Sequence, residues 1–364
     1  ISPKHRDELA TLLSLFEDVY EGPVVTNQVV SSLYESLISL QKKLESEAFM
    51  PGFGADSYRF GMPLLMSAFY VYIQRRAIRD KAVWEKMWAE FDENRPASES
   101  IAAMRKALSD VFTSPDPALS DDIWALANEL YDKIGWQTSE KLYASGYDRG
   151  GFLDTMEIPL CNARWLLSKL ADVEKLENTE AVSALKAYKN RTNPGPGGKY
   201  ISLGSPDAER YVPTLADDLW NEPEAVTIPR IEHHVGYFAP EVSRRFNPEN
   251  DSSALLERVA SLLAYYDAKV QIDVDMLAPG KAYELRVVFP LRFGWKGIEN
   301  PPTYLKGNGQ KLNPLGFMEE DPWVYRYEVP AGLIKDDGIL TLEVVKEPFP
   351  RGSGLTELWL IPKY

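Results

Sequence analysis

From Lys4 to about Asn190, apolar residues return every three or four positions, the spacing that lays them along one side of a helix. In TNQVVSSLYESLISLQKKLESEAF, Leu33, Leu37, Leu40 and Leu44 form such a stripe, with Thr26 or Asn27 in position to cap its start. IAAMRKALSDVF repeats the pattern with Ile101, Met104, Leu108 and Val111. SDDIWALANELYDKIGWQTSEKLY offers Ser120 as N-cap, acids in the first turn, and Ile123, Ala127, Leu130 and Ile134 as the inward side. A further helix is expected after Asn178 and Thr179, with Val182, Leu185 and Tyr188 facing inward. The apolar run FGMPLLMSAFYVYI, Phe60 to Ile73, reads as a buried helix despite Pro63, and it is too short to span a bilayer. About seven or eight helices are expected over this stretch.

After Gly198 the period changes. AYELRVVFPLRF, WVYRYEVP, ILTLEVV and TELWLIP are β-branched or aromatic runs bounded by Gly, Pro, Asn and Asp. Trp323, Tyr325, Tyr327 and Val329 alternate with Val324, Arg326 and Glu328. Short strands at close spacing, with turn signals such as KDDG and PRGSG between them, predict an antiparallel sandwich. No helical pattern alternates with the late strands, which argues against a doubly wound parallel sheet. The predicted class is therefore α+β in two parts. An α-helical domain, a bundle or a partial α/α toroid, covers residues 1–192. An irregular connection covers 193–250, and a β-sandwich covers 251–364 with one leading helix in SSALLERVASLLAYYDAK.

A chain of 364 residues is long enough for two cores. Its formal charge of −14 repels phosphate backbones, so no nucleic-acid partner is expected. Nine Trp and nineteen Tyr are a high count that suits large cores and also suits sugar-binding surfaces, because rings stack on the apolar faces of sugars. The lone cysteine, Cys161, excludes an intrachain disulfide and reads as a small buried hydrophobe. The chain opens on Ile1 with no basic and apolar leader, so any signal is expected to have been removed already.

Three stretches are rich enough in polar residues to carry chemistry. ASGYDRGGFLDTMEIPLCNARWL sets Asp148, Arg149, Asp154, Glu157, Asn162 and Arg164 around Gly146, Gly150 and Gly151, the composition of an irregular segment where sites tend to lie. Asp154 and Glu157 suit an acid and base pair or, with Asn162, a divalent cation; Arg149 suits a carboxylate. The competing reading is an internal ion-pair network, Arg149 with Asp154 for instance. RTNPGPGGKYISLGSP lacks the GK[ST] ending of a phosphate loop, so it reads as a turn between domains or as bare backbone beneath a ligand. RIEHHVGYF carries His233 and His234, which as neighbours on a strand would face opposite ways; one of them suits general acid or base work. With no HExxH pattern and His5 remote, no metal or other cofactor is expected. There is no GxSxG elbow and no GxGxxG after a strand. FMPGFGADSYRFGMP, with Asp56, Tyr58 and Arg59, reads as a further loop.

YDRGGFLDTMEIPLCNARWL, RTNPGPGGKYISLGSP and the closing strands from YYDAKVQIDVDMLAPGKAYELRVVF to LTELWLIP come in an order that resembles the C-terminal part of large secreted bacterial proteins associated with polysaccharide degradation. There the motifs read approximately RGxxLDTxDxPLNxxxWL and RTxPGPGGFYDDLG, and the likeness runs from Trp124 to Tyr364. This chain departs from them at Lys199 and Ser202, where the family has an aromatic residue and an Asp. The resemblance implies a secreted or periplasmic setting and a polysaccharide or oligosaccharide partner. It draws attention to Arg149, Asp154, Asn162, Trp165 and the turn from Pro194 to Gly198. The family's members are longer, which implies another chain or a further N-terminal region as partner.

Two function classes stay open. In a carbohydrate-active enzyme of the uronate-lyase type, Arg149 would neutralise the substrate carboxylate, while Tyr147 or His233 would take the proton. A glycoside hydrolase would instead use Asp154 and Glu157, roughly 5 to 10 Å apart. In both, Asn162, Trp165, Asn193, Gly197 and Gly198 are the expected substrate-binding residues. The other class is a non-catalytic accessory or sugar-binding half of a larger enzyme or assembly.

Overall fold

The computed structural model describes residues 3–21, 28–46, 57–139, 163–203, 231–235, 260–264, 270–289, 303–319, 324–346 and 353–364, together with residues 143, 153, 156, 159, 211 and 297. Among the described residues seven α-helices lie between Pro3 and Lys189: α1 (Pro3–Glu21), α2 (Val29–Glu45), α3 (Tyr58–Ala89), α4 (Ala97–Leu108), α5 (Pro117–Ile134), α6 (Ala163–Val173) and α7 (Asn178–Lys189). Every described strand begins at or beyond Lys199, and every strand pairing is antiparallel. The α+β, two-part layout expected from the change of period is present. Packing divides the chain into one unit of Ile1–Glu90 and Ala103–Cys161 and a second of Phe91–Ala102 and Asn162–Tyr364, so α6 and α7 belong to the unit that holds the sheets.

In the first unit the leucine stripe works as its spacing dictates. Leu33, Leu37, Leu40 and Leu44 of α2 are buried with Phe60, Leu65, Phe69 and Tyr72 of α3 and Ile123, Ala127 and Leu130 of α5. The predicted loop around Tyr58 and Arg59 is instead the start of α3, where these two exposed residues pair with each other. Pro63 lies in the second turn of α3, and the backbone bond it cannot donate would have gone to the carbonyl of the exposed residue Arg59. Two capping expectations are corrected. α2 starts at Val29 after Gln28, with no side-chain cap. α5 starts three residues before Ser120: Asp116 caps it by accepting from the Leu119 amide at 3.1 Å, and Pro117 supplies a preset first turn. Ile134, expected inside, is exposed because α5 ends there on the left-handed Gly135.

α3 also carries a polar seam. Arg76 and Asp80 are fully buried. Arg76 donates to the Val111 carbonyl at 3.2 Å and to the Tyr72 hydroxyl at 3.4 Å, while Arg79 donates to Val111 at 3.2 Å and to the Thr113 carbonyl at 2.9 Å. These guanidiniums satisfy carbonyls at the end of the short 3-10 helix from Ser109 to Phe112, where a helix terminus carries negative potential. The seam therefore fixes the path from α4 into α5.

In the second unit, the described residues form twelve strands in three sheets. They are β1 (Lys199–Ser202), β2 (Ile231–Val235), β3 (Ala260–Ala264), β4 (Val270–Val274), β5 (Tyr283–Val288), β6 (Thr303–Gly307), β7 (Gln310–Lys311), β8 (Asn313–Phe317), β9 (Val324–Val329), β10 (Leu340–Lys346), β11 (Ser353–Leu355) and β12 (Glu357–Pro362). Their orders are β1-β12-β5-β9-β8, β4-β10-β6-β7 and β11-β3-β2. Alternate residues of the five- and four-stranded sheets, among them Leu285, Tyr327 and Leu358 from one and Ile272, Leu305 and Leu342 from the other, share a single apolar core. That is the face-to-face packing of a sandwich. The leading helix predicted across residues 252–269 is corrected at its centre: Ala260–Ala264 is a strand held between β2 and β11. A short apolar run looks alike in either conformation, and here two neighbouring backbones supply the bonds.

On the outward side of β5 and β9, Glu284 accepts from Arg286 Nε and from Arg326 Nη2, each at 2.8 Å. The Arg326 hydrogen bond above all, with that of Arg286, holds its carboxyl below the ordinary value against the opposing effect of burial. A depressed folded-state pKa gives stability that is present above the unfolded value of about 4.3 and lost as pH falls through the folded value. The Glu284→Gln variant is accordingly expected to melt with a shallower acid dependence below about pH 4.3 than the parent. Parallel curves for the two proteins would contradict this assignment.

Candidate functional site

Of the expected site residues, Tyr147, Arg149, Asp154, Glu157 and Asn162 lie outside the described residues. Trp165 sits on α6 and His233 on β2, opposite Leu262 of β3; their side chains are likewise outside the description. Asn193, Gly197 and Gly198 are described, and they lie together in the turn that leads from α7 into β1.

That turn is built from local rules. Asn193 accepts from the Gly195 amide at 3.0 Å through its side chain, an Asx turn that starts the reversal, and Gly198 donates back to the Gly195 carbonyl at 3.1 Å. Gly195 and Gly197 have φ of +82° and +74°, which side-chain-bearing residues rarely adopt. Gly198 answers a different need: a Cβ there would stand 2.7 Å from the Leu360 carbonyl oxygen and 2.9 Å from that of Pro194. Gly198→Ala is expected to cost about 2 kcal/mol or more, because both obstacles are backbone. Thermal melting checks it, and a change within experimental error would mean the β1–β12 joint can open at no cost.

What the turn joins is a compact polar cluster that sequence reading missed. Arg191, just past α7, reaches both carboxylate oxygens of Glu357 through one nitrogen, at 3.1 and 3.2 Å. Tyr200 of β1 donates to the same carboxylate at 2.7 Å. Trp359 donates from its indole nitrogen to the Arg191 carbonyl at 3.1 Å, and the Arg191 guanidinium lies over its ring at 5.6 Å. Register explains the meeting: Tyr200 directly faces Trp359, and Glu357 lies two residues earlier on the same side of β12. Glu357 is only 3% exposed. Burial, and then the charge of Glu357, push the Tyr200 phenol well above its ordinary value, so it stays a proton donor. The available signal was a lone glutamate inside the apolar run TELWLIP, whose burial demands a partner. Chemically the cluster is a lock: each charged group is engaged by another member of the cluster. The open part of the region is the exposed backbone of Gly195, Pro196 and Gly197, with the Pro196 carbonyl accepting from the Tyr364 hydroxyl at 3.0 Å.

The charged loop is described at its anchors. Leu153 and Met156 are fully buried in the helical core, and the Leu153 amide donates to the Thr138 carbonyl at 3.1 Å. Asp154 directly follows the first anchor and Glu157 the second. No group of three or more His, Cys, Asp and Glu among the described residues is arranged to hold a metal ion. No described helix is long and apolar enough to cross a membrane. In comparisons with known proteins the chain matches no family model and no curated protein.

Proposed function

We propose that this chain is a carbohydrate-active protein that works outside the cytoplasm on a polysaccharide, with the segment from Tyr147 to Asn162 as its reactive loop. The observation that carries the reading is the double anchoring of that loop: buried Leu153 and Met156 tie it to the helical core. A segment with two adjacent glycines would otherwise lose much entropy on binding a ligand, and pinning it in advance lowers that cost. The composition of the loop supports two chemistries. Arg149 with Tyr147 suits proton abstraction beside a uronate carboxylate, whereas Asp154 with Glu157 suits glycosidic hydrolysis.

The test is incubation of the full chain with acidic and neutral polysaccharides, following the ultraviolet absorbance of unsaturated uronates and the release of reducing ends. Arg149→Ala is expected to abolish activity or binding while leaving the melting temperature unchanged. A large loss of stability with activity retained in the folded fraction would assign Arg149 to an internal ion network instead.

A second reading, a non-catalytic accessory half, draws on the Arg191–Glu357 lock, where ionised groups at the joint are committed to structure. It is supported if glycan is retained on affinity gels while no bond is cleaved.

A further inference from the structure

Helix α5 has a second face beside the one buried in the helical core, and of its residues Trp124 packs against that core. Leu119, Ile123, Ala127 and Leu130 point into the helical core. Trp124, Asn128 and Tyr131, at steps of four and three, form another stripe that runs about 10 Å along the axis. Tyr143 folds back onto that stripe. Its ring stacks on Tyr131 with centroids 4.1 Å apart and planes 11° from parallel, and its hydroxyl donates to the Asn128 side-chain oxygen at 2.7 Å. Stacked rings in contact are a favourable aromatic arrangement, and the Asn128 bond adds to it. Trp124, Tyr131, Trp136 and Tyr143 are all half-buried, and Asn128 and Asp132 beside them are exposed. Trp124 and Trp136 pack against the helical core, whereas Tyr131 and Tyr143 stack on each other.

We propose that this face of α5, with the stacked Tyr131 and Tyr143 and the exposed Asn128 and Asp132, is a subsite for an uncharged pyranose of a glycan chain. The assignment rests on the polysaccharide reading above and narrows it to neutral sugars. Flat rings match the apolar face of a pyranose, and an amide with an adjacent carboxylate matches its hydroxyls. Charge selects among sugars. Asp121, Asp122, Glu129 and Asp132 are exposed on this helix, and its one lysine, Lys133, is paired to Glu129. A uronate chain would therefore meet net repulsion here, whereas a neutral one would not. Burial, with Asp132 and Tyr131 after it, raises the pKa of the Tyr143 phenol and so keeps its hydroxyl a donor.

The full chain is titrated calorimetrically with hexasaccharides of glucose, mannose and xylose and with a uronate hexasaccharide. At least one neutral sugar is expected to bind, and the uronate at least about tenfold more weakly. Tyr143→Ala and Tyr131→Ala are each expected to weaken neutral binding about tenfold or more, and Asn128→Ala to weaken it as well. Asn128 is exposed, so its variant carries the test if a tyrosine variant does not fold. Equal or tighter uronate binding, or neutral binding unchanged in folded variants, overturns the subsite. If glycan is still bound or cleaved undiminished by those variants, only the subsite falls. If no glycan is bound or cleaved at all, the polysaccharide reading falls with it.

Discussion

Replacing Glu357 by alanine is expected to destabilise the unit that holds the sandwich by about 3 kcal/mol or more. The carboxylate is 3% exposed and holds Arg191 and Tyr200 at once, so its loss leaves a guanidinium and a hydroxyl without the acceptor they were folded around. Arg191 keeps about a fifth of its side chain in contact with solvent, which places the cost near the lower end of the range for broken buried pairs. Tyr200→Phe removes a single hydrogen bond and should cost about 1 kcal/mol. Glu357→Gln, which retains an acceptor for Tyr200 but no charge for Arg191, should fall between. Denaturant titrations read all three, with the midpoint shifting and the slope unchanged. An alanine variant within about 0.5 kcal/mol of the parent would show that the cluster is surface decoration and that β1 is held by its backbone alone.

The second large effect belongs to the helical unit. Arg76→Ala is expected to cost about 3 to 5 kcal/mol, because it opens a cavity beneath α3 and removes donors from a fully buried seam. Arg76→Met restores most of the volume. The carbonyl of Val111 still accepts from Arg79 at 3.2 Å, and Asp80 still pairs with Arg79 at 2.8 Å. The methionine variant should therefore lose only about 1 to 2 kcal/mol. Equal losses for both variants would mean that the charge, and not the space it fills, is what the seam requires. The native guanidinium is itself incompletely satisfied, since Arg76 Nε is buried without a hydrogen-bond partner.

Much of the fold was legible in the chain. The stripe Leu33, Leu37, Leu40 and Leu44 and the alternation Tyr325, Tyr327 and Val329 define their elements by period alone, and all seven residues are buried. The errors fell where period is silent. Ser120 is a good cap by type, yet Asp116 caps α5, because Pro117 can begin a helix and Ser120 need not. Ala260–Ala264 was misread because an apolar pentapeptide contains too few turns to distinguish helix from strand. In the candidate site, the glycine turn was recognised for its backbone freedom, and both uses of glycine are realised there.

Local chemistry alone fixed most of where the chain coils and where it extends, Ala260–Ala264 excepted, since burying one side of a helix or strand imposes its own spacing on the sequence. It also fixed the reversal after Asn193, where Asn193 accepts from Gly195 and Gly198 donates back to Gly195. Tertiary structure decided which distant residues share a charge. Arg191 and Glu357 are 166 positions apart, and strand register alone brings Tyr200, Glu357 and Trp359 to one face. Register is settled by the whole sandwich core, because a shift of one residue would turn Leu358 and Leu360 of β12 out of it. No single segment contains that information, which is why the cluster became visible only with the assembled sheet.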